Sequence, residues 1–590
     1  MQLTNRTTSS LNFLRKLKRP NAHTRTFSRP MSSPPNEHLF SYTSGRFLFN
    51  EKLRQKERYV RFNIEALKQL AAEHIQPSHG KVVNITKLAE GGFNRVFLLT
   101  LEDGFHAIAK IPYHIAVPQR YATASEAATL ELLRVKGVPV PKVYGYSASA
   151  DNPAGVEYII MEKANGVRLD EKWFSLTKRE RHKLASSFVG IEKRLFDIPF
   201  HAIGSIYFKS DVPSNLQVPL YSEAHESHEQ DDTSKRFCIG PIADYMFWYG
   251  KRAALDIHRG PCMCTFMIRI EQLDLTALKG NDANHYLRSV AEKEIEWTRR
   301  YGKPLELDFP HNGAFPGKHS PDRYLALLEK YLALVPYLLP KVNSDPLNQP
   351  TLRHPDLNPN NIFVYPENGA ISCIIDWQHA TIEPRLLVAG YPRAFENSAT
   401  DEPLGLEEPK LPHEYDSLSV EDKAEADELY RRQTLFYYYR VFNGVFNKPH
   451  LSALLDPLLH PRKHLVDRAG RQWSGNLMTL KGALVRMTEY WSLLPDTKGI
   501  QCPVEFKPQE LEEFQKQEEI WFCFNAVVNQ WRDELGGVNE DGWISNEQYG
   551  NAVRKARELK ETLILEAEGD EEDIVLLNRR WPFGDQEEVN

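Results

Sequence analysis

The strongest constraint on the fold and chemistry of this chain is the spacing of acidic and amide residues in one polar run and the segment after it. Residues 354–361 read His-Pro-Asp-Leu-Asn-Pro-Asn-Asn, an apolar run follows at 362–365, and Asp376 comes after a second apolar run. Asn and Pro by themselves favour turns, but a turn does not explain an acidic residue placed after two apolar strands. The pattern favours a chemical role. Asp356 would orient a hydroxyl group or accept its proton, and Asn361 and Asp376 would supply oxygen ligands for Mg²⁺.

Three upstream features fit the same chemistry. Gly91 and Gly92 lie in a turn between two strand-like runs, where the missing Cβ atoms let the backbone approach a phosphate group. Lys110 ends the next strand-like run, and Glu126 follows sixteen residues later in a helical segment. A lysine there can hold the α- and β-phosphates of a nucleotide, and the glutamate can fix the lysine. Each feature alone is usually an ordinary turn or surface charge, but together they support one another.

The order of predicted elements indicates an α+β chain. Strands are expected at 82–88, 93–101, 105–111, 142–146 and 158–162, a helix at 122–135, and a hairpin turn at Asp103-Gly104. Helical composition or spacing predicts helices at 51–75, 177–193, 241–258, 284–301, 321–338, 420–447, 475–494, 508–535 and 546–566. We therefore expect an antiparallel, five-stranded N-lobe at 80–166, an enlarged helical C-lobe at 167–565 and an acidic tail at 566–590.

The motifs resemble the aminoglycoside phosphotransferase and choline kinase branch of the protein-kinase-like fold. That branch writes its catalytic loop as His-Gly-Asp-(Leu/Phe)-His-x-x-Asn and its metal motif as Ile-Asp-Trp, which Ile375-Asp376-Trp377 matches. Pro355 replaces the usual Gly and Asn358 the usual His, and neither position carries the transferred charge. The resemblance covers about residues 80–400 and implies a two-lobed, kinase-like fold. Residues 93–97, 203–208 and 354–361 also resemble a family of fungal mitochondrial proteins.

The resemblance implies a role for each matching position. Gly91, Gly92 and Asn94 would cover the nucleotide phosphates, Lys110 would contact the α- and β-phosphates, and Glu126 would anchor Lys110. Met161, Glu162 and Ala164 would form the hinge beside adenine through their backbone groups. Asp356 would be the catalytic base and His354 would brace the catalytic loop, while Asn361 and Asp376 would hold Mg²⁺.

The implied activity is an ATP- and Mg²⁺-dependent transfer of phosphate to the hydroxyl group of a small molecule. A small-molecule acceptor is favoured over a protein because Asp376-Trp-Gln replaces Asp-Phe-Gly and no Ala-Pro-Glu segment follows. The alternative is a nucleotide-binding regulatory module without turnover, which the single Gly-Gly pair favours and the full Lys, Asp, Asn and Asp set disfavours. A purely structural protein would require the motif set to be a coincidence. No motif identifies the acceptor or the oligomeric state.

Charge is distributed unevenly along the chain. Residues 1–36 contain seven Lys or Arg and no Asp or Glu, whereas the remaining 66 basic and 79 acidic residues leave a net charge of −13. A basic, Ser- and Thr-rich head without acids is typical of a mitochondrial transit peptide, with a basic tail as the alternative, and predicts a mitochondrial, matrix location. The acidic body argues against nucleic-acid binding. No apolar run reaches the roughly 20 residues needed to span a bilayer.

Two further patterns are weak candidates for metal sites. Cys262-Met-Cys264 is the one close pair among six cysteines, and no second pair or suitably spaced histidines accompany it. Residues 537–548 resemble a calcium loop, but Gly537 and Gln548 stand where carboxylates are required. We therefore expect reduced structural thiols and an inter-helix turn at these places.

Overall fold

The structure, a computed structural model, describes residues 36–75, 77–221, 232–260, 283–341, 345–396, 406–586 and residue 588. The predicted transit peptide lies outside these residues except for Asn36, and so does the Cys262–Cys264 pair. The predicted α+β architecture, with an antiparallel N-lobe and a large helical C-lobe, is confirmed.

The N-lobe is built on a five-stranded antiparallel sheet. Its strands, in spatial order, are Val82–Glu90, Asn94–Leu101, His106–Pro112, Tyr158–Glu162 and Val143–Ser147. The Asp103-Gly104 turn closes the second hairpin, with Gly104 in the left-handed region at a φ of 85°. The helix Tyr121–Val135 follows the third strand, and its small residues Ala124, Ala127 and Ala128 are buried. The predicted sequence of strands and helix is confirmed.

An N-terminal segment, residues 36–75, packs against this sheet. It forms the helices Glu37–Phe40, Glu51–Arg58 and Ile64–His74, so the continuous helix predicted at 51–75 is interrupted. Asn63 caps the last of these helices, and its side chain accepts a hydrogen bond from the Ala66 amide. Phe40, Phe62 and Leu67 are buried with the sheet residues Phe97 and Leu99 in one core. The N-lobe core therefore includes residues before position 80, where we expected this lobe to begin.

The two lobes are joined at residues 163–166. Gly166 has a φ of 98°, and a Cβ atom there would lie 2.4 Å from the Val364 carbonyl oxygen. The next residues form the strand Val167–Arg168, which pairs with Ile362–Val364, and that strand pairs with Ile371–Ile374. The connection between the lobes therefore packs against the hairpin that follows the predicted catalytic loop.

The C-lobe is mainly helical. Most of it packs around one large apolar core, and residues within 528–583 pack in a smaller one. Its longer helices are Lys178–Phe196, Ala283–Tyr301, Pro321–Leu338, Val420–Phe446, Leu459–Ala469, Met478–Glu489, Pro508–Glu534, Asn546–Glu566 and Glu571–Arg579. Short strands form two further small sheets. Phe237–Gly240 pairs with Ser205–Phe208 on one side and Val218–Pro219 on the other, and Pro350–Leu352 pairs with Ile382–Pro384. Within the described ranges, no helix is long and apolar enough to cross a membrane.

The helix predicted at 241–258 is wrong. The segment contains the short 3₁₀ turns Tyr245–Phe247 and Gly250–Ala254. Asp244 precedes the first turn, and its carboxylate accepts a hydrogen bond from the Met246 amide at 2.7 Å. Gly250 then adopts a positive φ of 59°, which a continuous α-helix does not allow. The apolar spacing arises because Ile242, Phe247 and Leu255 are buried, not because the backbone is helical.

The acidic tail is solvated only in its first part. Asp570, Glu571 and Glu572 are exposed as expected, but Glu571 begins a helix that ends at Arg579. Trp581 and Phe583 then return to a core with Trp531. Their large apolar area explains why this part of the tail is not solvated.

The two ends of the described chain also meet. The strand Arg46–Phe47 pairs antiparallel with Trp543–Ile544, inside the loop that superficially resembles a calcium site. In that loop the Asn539 side chain accepts a hydrogen bond from the Trp543 amide, as expected for an inter-helix turn.

Candidate active site

Lys110 is the centre of a buried ion-pair cluster between the lobes. It lies in the middle strand of the N-lobe sheet, where both faces are covered. Its Nζ atom donates to the two carboxylate oxygens of Glu126 at 2.7 and 2.8 Å and to Asp376 Oδ1 at 2.6 Å. The predicted approach of Lys110 and Glu126 is confirmed, and Asp376 of the C-lobe joins them. We call these three residues the lysine cluster.

The lysine cluster has unequal numbers of positive and negative groups. Burial alone would lower the pKa of Lys110, but the carboxylates of Asp376 and Glu126 outweigh burial and raise it. Burial likewise acts to raise the pKa of Asp376, but Lys110 reverses this effect and lowers it. For Glu126 burial prevails and raises the pKa. With both carboxylates ionised, the cluster carries one excess negative charge.

His354 joins the predicted catalytic loop, residues 354–361, to the strand before Asp376. Its Nε2–H donates to the Ile375 carbonyl oxygen at 2.8 Å, and its Nδ1 accepts from the Asp356 amide at 3.1 Å. These two bonds require the neutral tautomer, and burial lowers the pKa of His354 accordingly. The ring also packs edge-on against Trp377 at 4.7 Å. These contacts suit the bracing role that the resemblance implies for His354, and that role stays a prediction.

Asp356 and Asn361 lie together at the surface of the same loop. The Asn361 side-chain amide donates to the Asp356 carbonyl oxygen at 2.9 Å, and the Asn361 carbonyl oxygen accepts from the Ile375 amide at 3.0 Å. Asp356 is exposed, and its Oδ2 atom accepts from the Asn358 side chain at 2.8 Å. These contacts bring Asp356, Asn361 and the segment of Asp376 to one place beside Lys110.

Asn358 is a functional candidate that the sequence argument missed. It stands where the related motif has histidine, and its replacement was treated as neutral. In the structure its amide orients the Asp356 carboxylate, while its side-chain oxygen accepts from the Asn360 amide at 2.9 Å. The Asn-Pro-Asn pattern after Asp356 is the only sequence signal that points to this role, because Asn before a turn commonly caps it.

The backbone at Asp376 adopts an uncommon conformation. Asp376 and His379 both have a φ of 65°, in the left-handed region that L-residues rarely enter, although Asp and His do so more often than most. Such conformations cost free energy and persist where the surrounding contacts impose them. Here those contacts are Lys110 on Asp376 and the Val117 carbonyl oxygen, which the His379 Nε2 atom contacts at 3.0 Å. The conformation fixes the direction in which the Asp376 carboxylate points.

The Gly-rich turn has no structural need for its glycines. Gly91 and Gly92 are absent from the residues of positive φ, and nothing lies within 4 Å of a Cβ atom built on Gly92. The nearest atom to a Cβ on Gly91 is the Asn94 carbonyl oxygen at 3.8 Å. The turn thus leaves bare backbone beside open space, as a phosphate-covering loop requires.

Asn94 and Phe93 connect this turn to the C-lobe. Asn94 is buried, and its side-chain amide donates to the Gln378 side chain, two residues after Asp376. Phe93 packs on Tyr245 and His379 with ring centroids 4.9 and 5.1 Å apart. Asn94 therefore joins the turn to the Asp376 segment through a buried bond, a contact that the sequence did not indicate.

The predicted hinge lies at the other end of the same sheet. Met161 and Glu162 end the strand that pairs with the Lys110 strand, with Lys110 opposite Ile159 and Ala107 opposite Glu162. The hinge is thus three strand residues from Lys110, or roughly 10 Å. Ala164 lies in the connection just before Gly166.

Comparisons with known proteins identify relatives over most of the chain. Residues 84–387 match the phosphotransferase enzyme family. A subtelomeric hrmA-associated cluster protein of Aspergillus fumigatus is 34% identical over 523 residues, which are 86% of this chain and 97% of that protein. The Candida tropicalis protein named altered inheritance of mitochondria protein 9, mitochondrial, is 25% identical over 593 residues, 88% of each chain. The resemblance predicted from the motifs, both to the family and to these fungal proteins, is confirmed.

A solved structure of similar type is also found. An ADP-bound aminoglycoside phosphotransferase shares 14% identity and a TM-score of 0.32, with 75% of this chain and 98% of that chain covered.

Proposed function

Because this chain belongs to the phosphotransferase enzyme family, we propose that it transfers the γ-phosphoryl group of ATP to a hydroxyl group of a small molecule. One observation carries the proposal: Lys110, Glu126 and Asp376 come from both lobes and meet beside the catalytic loop. In phosphoryl transfer the protein mainly positions groups and stabilises charge, so this meeting of charges is the feature to expect.

The N-lobe offers a surface of suitable length for a nucleotide. The roughly 10 Å of strand between Lys110 and the hinge at Met161 and Glu162 matches the span from a base to its inner phosphates. We assign adenine to the hinge backbone at Met161, Glu162 and Ala164 and the α- and β-phosphates to Lys110. Gly91 and Gly92 would cover the phosphates, where their bare backbone faces open space.

The residues present fit Mg²⁺. The lysine cluster carries excess negative charge, and the Asn361 side chain uses its amide nitrogen on Asp356, which leaves its oxygen for another partner. Within the described part of the chain, no group of three or more His, Cys, Asp or Glu could hold a metal ion. Mg²⁺ does not need one, because it is commonly held by one or two protein oxygens together with substrate phosphates. We assign these ligands to Asp376 and Asn361. When bound, Mg²⁺ would neutralise charge that develops on the phosphate oxygens.

Asp356 is the group placed to act on the acceptor. It is exposed at the cleft, and its backbone is held by His354 and its carboxylate by Asn358. We propose that this carboxylate orients the acceptor hydroxyl and takes its proton as the phosphoryl group is transferred. A positioned general base of this kind contributes about 10²–10⁴-fold to rate.

We further propose that the activity operates in mitochondria, in the matrix. Two observations support this location: the basic, acid-free composition of residues 1–36 and the mitochondrial designation of the Candida tropicalis relative. Fractionation of mitochondria followed by protease protection would place the protein. Recovery in the cytosolic fraction alone would contradict the proposal.

The activity is tested by following ADP release from ATP and Mg²⁺ with a panel of hydroxylated mitochondrial metabolites. We expect an acceptor that raises ADP release and becomes phosphorylated. Asp356→Asn should lower this transfer by about 10²–10⁴-fold while nucleotide binding persists. Asp151→Asn, in an exposed loop of the N-lobe, is the matched control and should transfer at the wild-type rate. Full transfer by Asp356→Asn would contradict the base assignment.

The second candidate is a nucleotide-binding regulatory module without turnover. It is favoured by the Gly-rich turn, which has a single Gly-Gly pair and two short tethers, Asn94 to Gln378 and Phe93 to Tyr245. Binding of ATP and Mg²⁺ by wild-type protein with no transfer to any acceptor would support this candidate over the enzyme.

A further inference from the structure

A second buried ion-pair cluster lies directly behind the catalytic loop. Arg353, the residue before His354, donates to Glu192 Oε1 through Nε at 3.2 Å and Nη2 at 3.1 Å. The Glu192 side chain is 2% exposed and the Arg353 side chain 13%. Arg353 also donates to the carbonyl oxygens of Val388 at 2.8 Å and Gly390 at 2.7 Å. A planar guanidinium that makes four such bonds has a single orientation.

Residues beyond the family-matched region complete this cluster. The Tyr439 hydroxyl donates to Glu192 Oε2, and His450 Nδ1 lies 3.6 Å from the same oxygen. His450 Nε2 accepts from the Gly390 amide at 3.4 Å, so its Nδ1 carries the proton and donates to Asn443 Oδ1 at 3.1 Å. Gly390, Tyr439, Asn443 and His450 all follow residue 387, where the family match ends. We call Arg353, Glu192, Tyr439 and His450 the arginine cluster.

We infer that Arg353 and Glu192 are positioning residues, which set the catalytic loop for phosphoryl transfer through His354. The backbone of Arg353 continues into His354, and His354 holds both the Asp356 amide and the Ile375 carbonyl oxygen. A rotation of Arg353 would therefore move the base and the Asp376 segment together. Tyr439 and His450 contact Glu192, so the helices that follow residue 406 help to hold Arg353 and Glu192 in position. The inference rests on the proposed phosphotransfer for its effect on rate, but not for its effect on the loop.

The test measures amide hydrogen exchange in the loop and ADP release in the same full-length variants. The Asp356, Asn358 and Asn361 amides donate hydrogen bonds within the loop, so their exchange reports its order. For Arg353→Met we expect these amides to exchange at least tenfold faster and turnover to fall about 10²-fold, the usual cost of a displaced catalytic group. Tyr439→Phe removes one hydroxyl and should give a roughly threefold to tenfold effect in the same direction. Nucleotide binding measured without Mg²⁺ should change little in both variants, because Lys110 and the hinge lie outside this loop.

Two controls separate positioning from stability. Glu294→Gln breaks another fully buried pair of the C-lobe, Arg252 with Glu294, and should destabilise the protein without faster exchange in the loop. The double variant Arg353→Met with Glu192→Met removes both charges, which usually restores much of the stability lost in a single variant. We expect its loop exchange to stay fast and its turnover low.

Several results would overturn the inference. Wild-type exchange at 354–361 in a folded Arg353→Met variant would do so, as would equal loss of protection in Glu294→Gln. Recovery of loop exchange in the double variant would show that the pair only balances charge. If Arg353→Met does not fold, Tyr439→Phe decides the question. If wild-type protein transfers no phosphate, the proposed function fails while the exchange measurement still decides the positioning role.

Discussion

The lysine cluster and the arginine cluster lie on two sides of the same loop and differ in charge balance. The lysine cluster has two carboxylates for one ammonium group, and the Asp376 side chain is 45% exposed. The arginine cluster pairs one guanidinium with one carboxylate and adds a neutral histidine and a tyrosine, and of these four side chains only Arg353 is partly exposed. An open cluster with excess charge is suited to bind a cation and phosphate, whereas a closed, balanced cluster is suited to hold a backbone in place.

The largest effect should come from breaking the lysine cluster. Lys110→Met leaves the Glu126 carboxylate buried without its partner, so we expect the free energy of unfolding to fall by about 3–5 kcal/mol. Nucleotide binding should be lost as well. Urea denaturation and nucleotide titration measure the two effects.

Asp356→Asn is the matched control for the lysine substitution. Because Asp356 is exposed, this change should alter the free energy of unfolding by no more than about 0.5 kcal/mol. Equal stability of Lys110→Met and wild type would contradict the burial of an ionised Glu126 carboxylate in the lysine cluster.

The next largest effect that should distinguish the two clusters is the stabilisation of the protein by bound ligand. ATP with Mg²⁺, at a free concentration of 100 Kd, should stabilise wild-type protein by about 2.7 kcal/mol. Asp376→Asn should lose the part of this gain that depends on Mg²⁺, because an anionic ligand becomes neutral. Arg353→Met should keep the part of the gain that ATP gives without Mg²⁺, since its cluster does not face the nucleotide.

Thermal unfolding with and without Mg²⁺ provides the measurement. A full Mg²⁺-dependent gain in Asp376→Asn would remove this residue from the metal site. Loss of the Mg²⁺-independent gain in Arg353→Met would contradict the separation of the two clusters.

The sequence predicts the contacts of the lysine cluster better than those of the arginine cluster, because the two sets of residues differ in their separation along the chain. The Gly-rich turn, the Lys110–Glu126 pair and the 354–376 motif are local patterns or belong to a known order of motifs, and the structure brings them together. Arg353 and Glu192 lie 161 positions apart with no spacing rule between them. Two long charged side chains in helical or loop sequence are usually solvated, so only the fold reveals that this pair is buried.

The errors have two physical origins. The apolar spacing at 241–258 predicts a helix, but Asp244 and Gly250 direct tight turns there. Residues 566–590 are expected to form one acidic tail, yet Trp581 and Phe583 pack on Trp531. In the first case local turn residues outweigh the apolar spacing. In the second, burial against a distant part of the chain decides the structure, and a local pattern carries no record of it.

The effect of pH should also differ between the clusters. Burial and the nearby cations Arg353, Lys463 and Arg385 lower the pKa of His450 well below 6.5. The unfolded chain then binds a proton at His450 below pH 6.5 that the folded chain does not, so the contribution of His450 to the free energy of unfolding should fall as pH decreases below about 6.5. Burial raises the pKa of Glu192 in the same cluster, and this group contributes in the opposite direction. The slope amounts to about 1.4 kcal/mol for each pH unit through which His450 stays neutral. Asp376, with its lowered pKa, contributes a loss only below about pH 4.

Urea denaturation between pH 7 and 4.5 measures this difference. His450→Gln should reduce the slope, and Asp376→Asn should leave the slope in this range unchanged. An unchanged slope in His450→Gln would contradict burial of a neutral imidazole in the arginine cluster.

The smallest effect on stability is expected from a substitution of Gly92. This substitution also tests whether the open space beside the Gly-rich turn holds a nucleotide phosphate. A Cβ atom on Gly92 meets no protein atom within 4 Å, and its φ is not positive, so Gly92→Ala should leave the free energy of unfolding within about 0.5 kcal/mol of wild type. The same methyl group would occupy space that we assign to a nucleotide phosphate, so ATP affinity should fall by roughly tenfold, or about 1.4 kcal/mol.

Gly104→Ala is the matched control. A Cβ atom on Gly104 also meets open space, but the φ of 85° makes alanine strained there, and Gly104 lies in a hairpin turn away from Lys110. It should cost about 1 kcal/mol of stability and nothing in affinity. The two alanines therefore have opposite effects, and wild-type affinity in Gly92→Ala would mean that the phosphates do not lie under this turn.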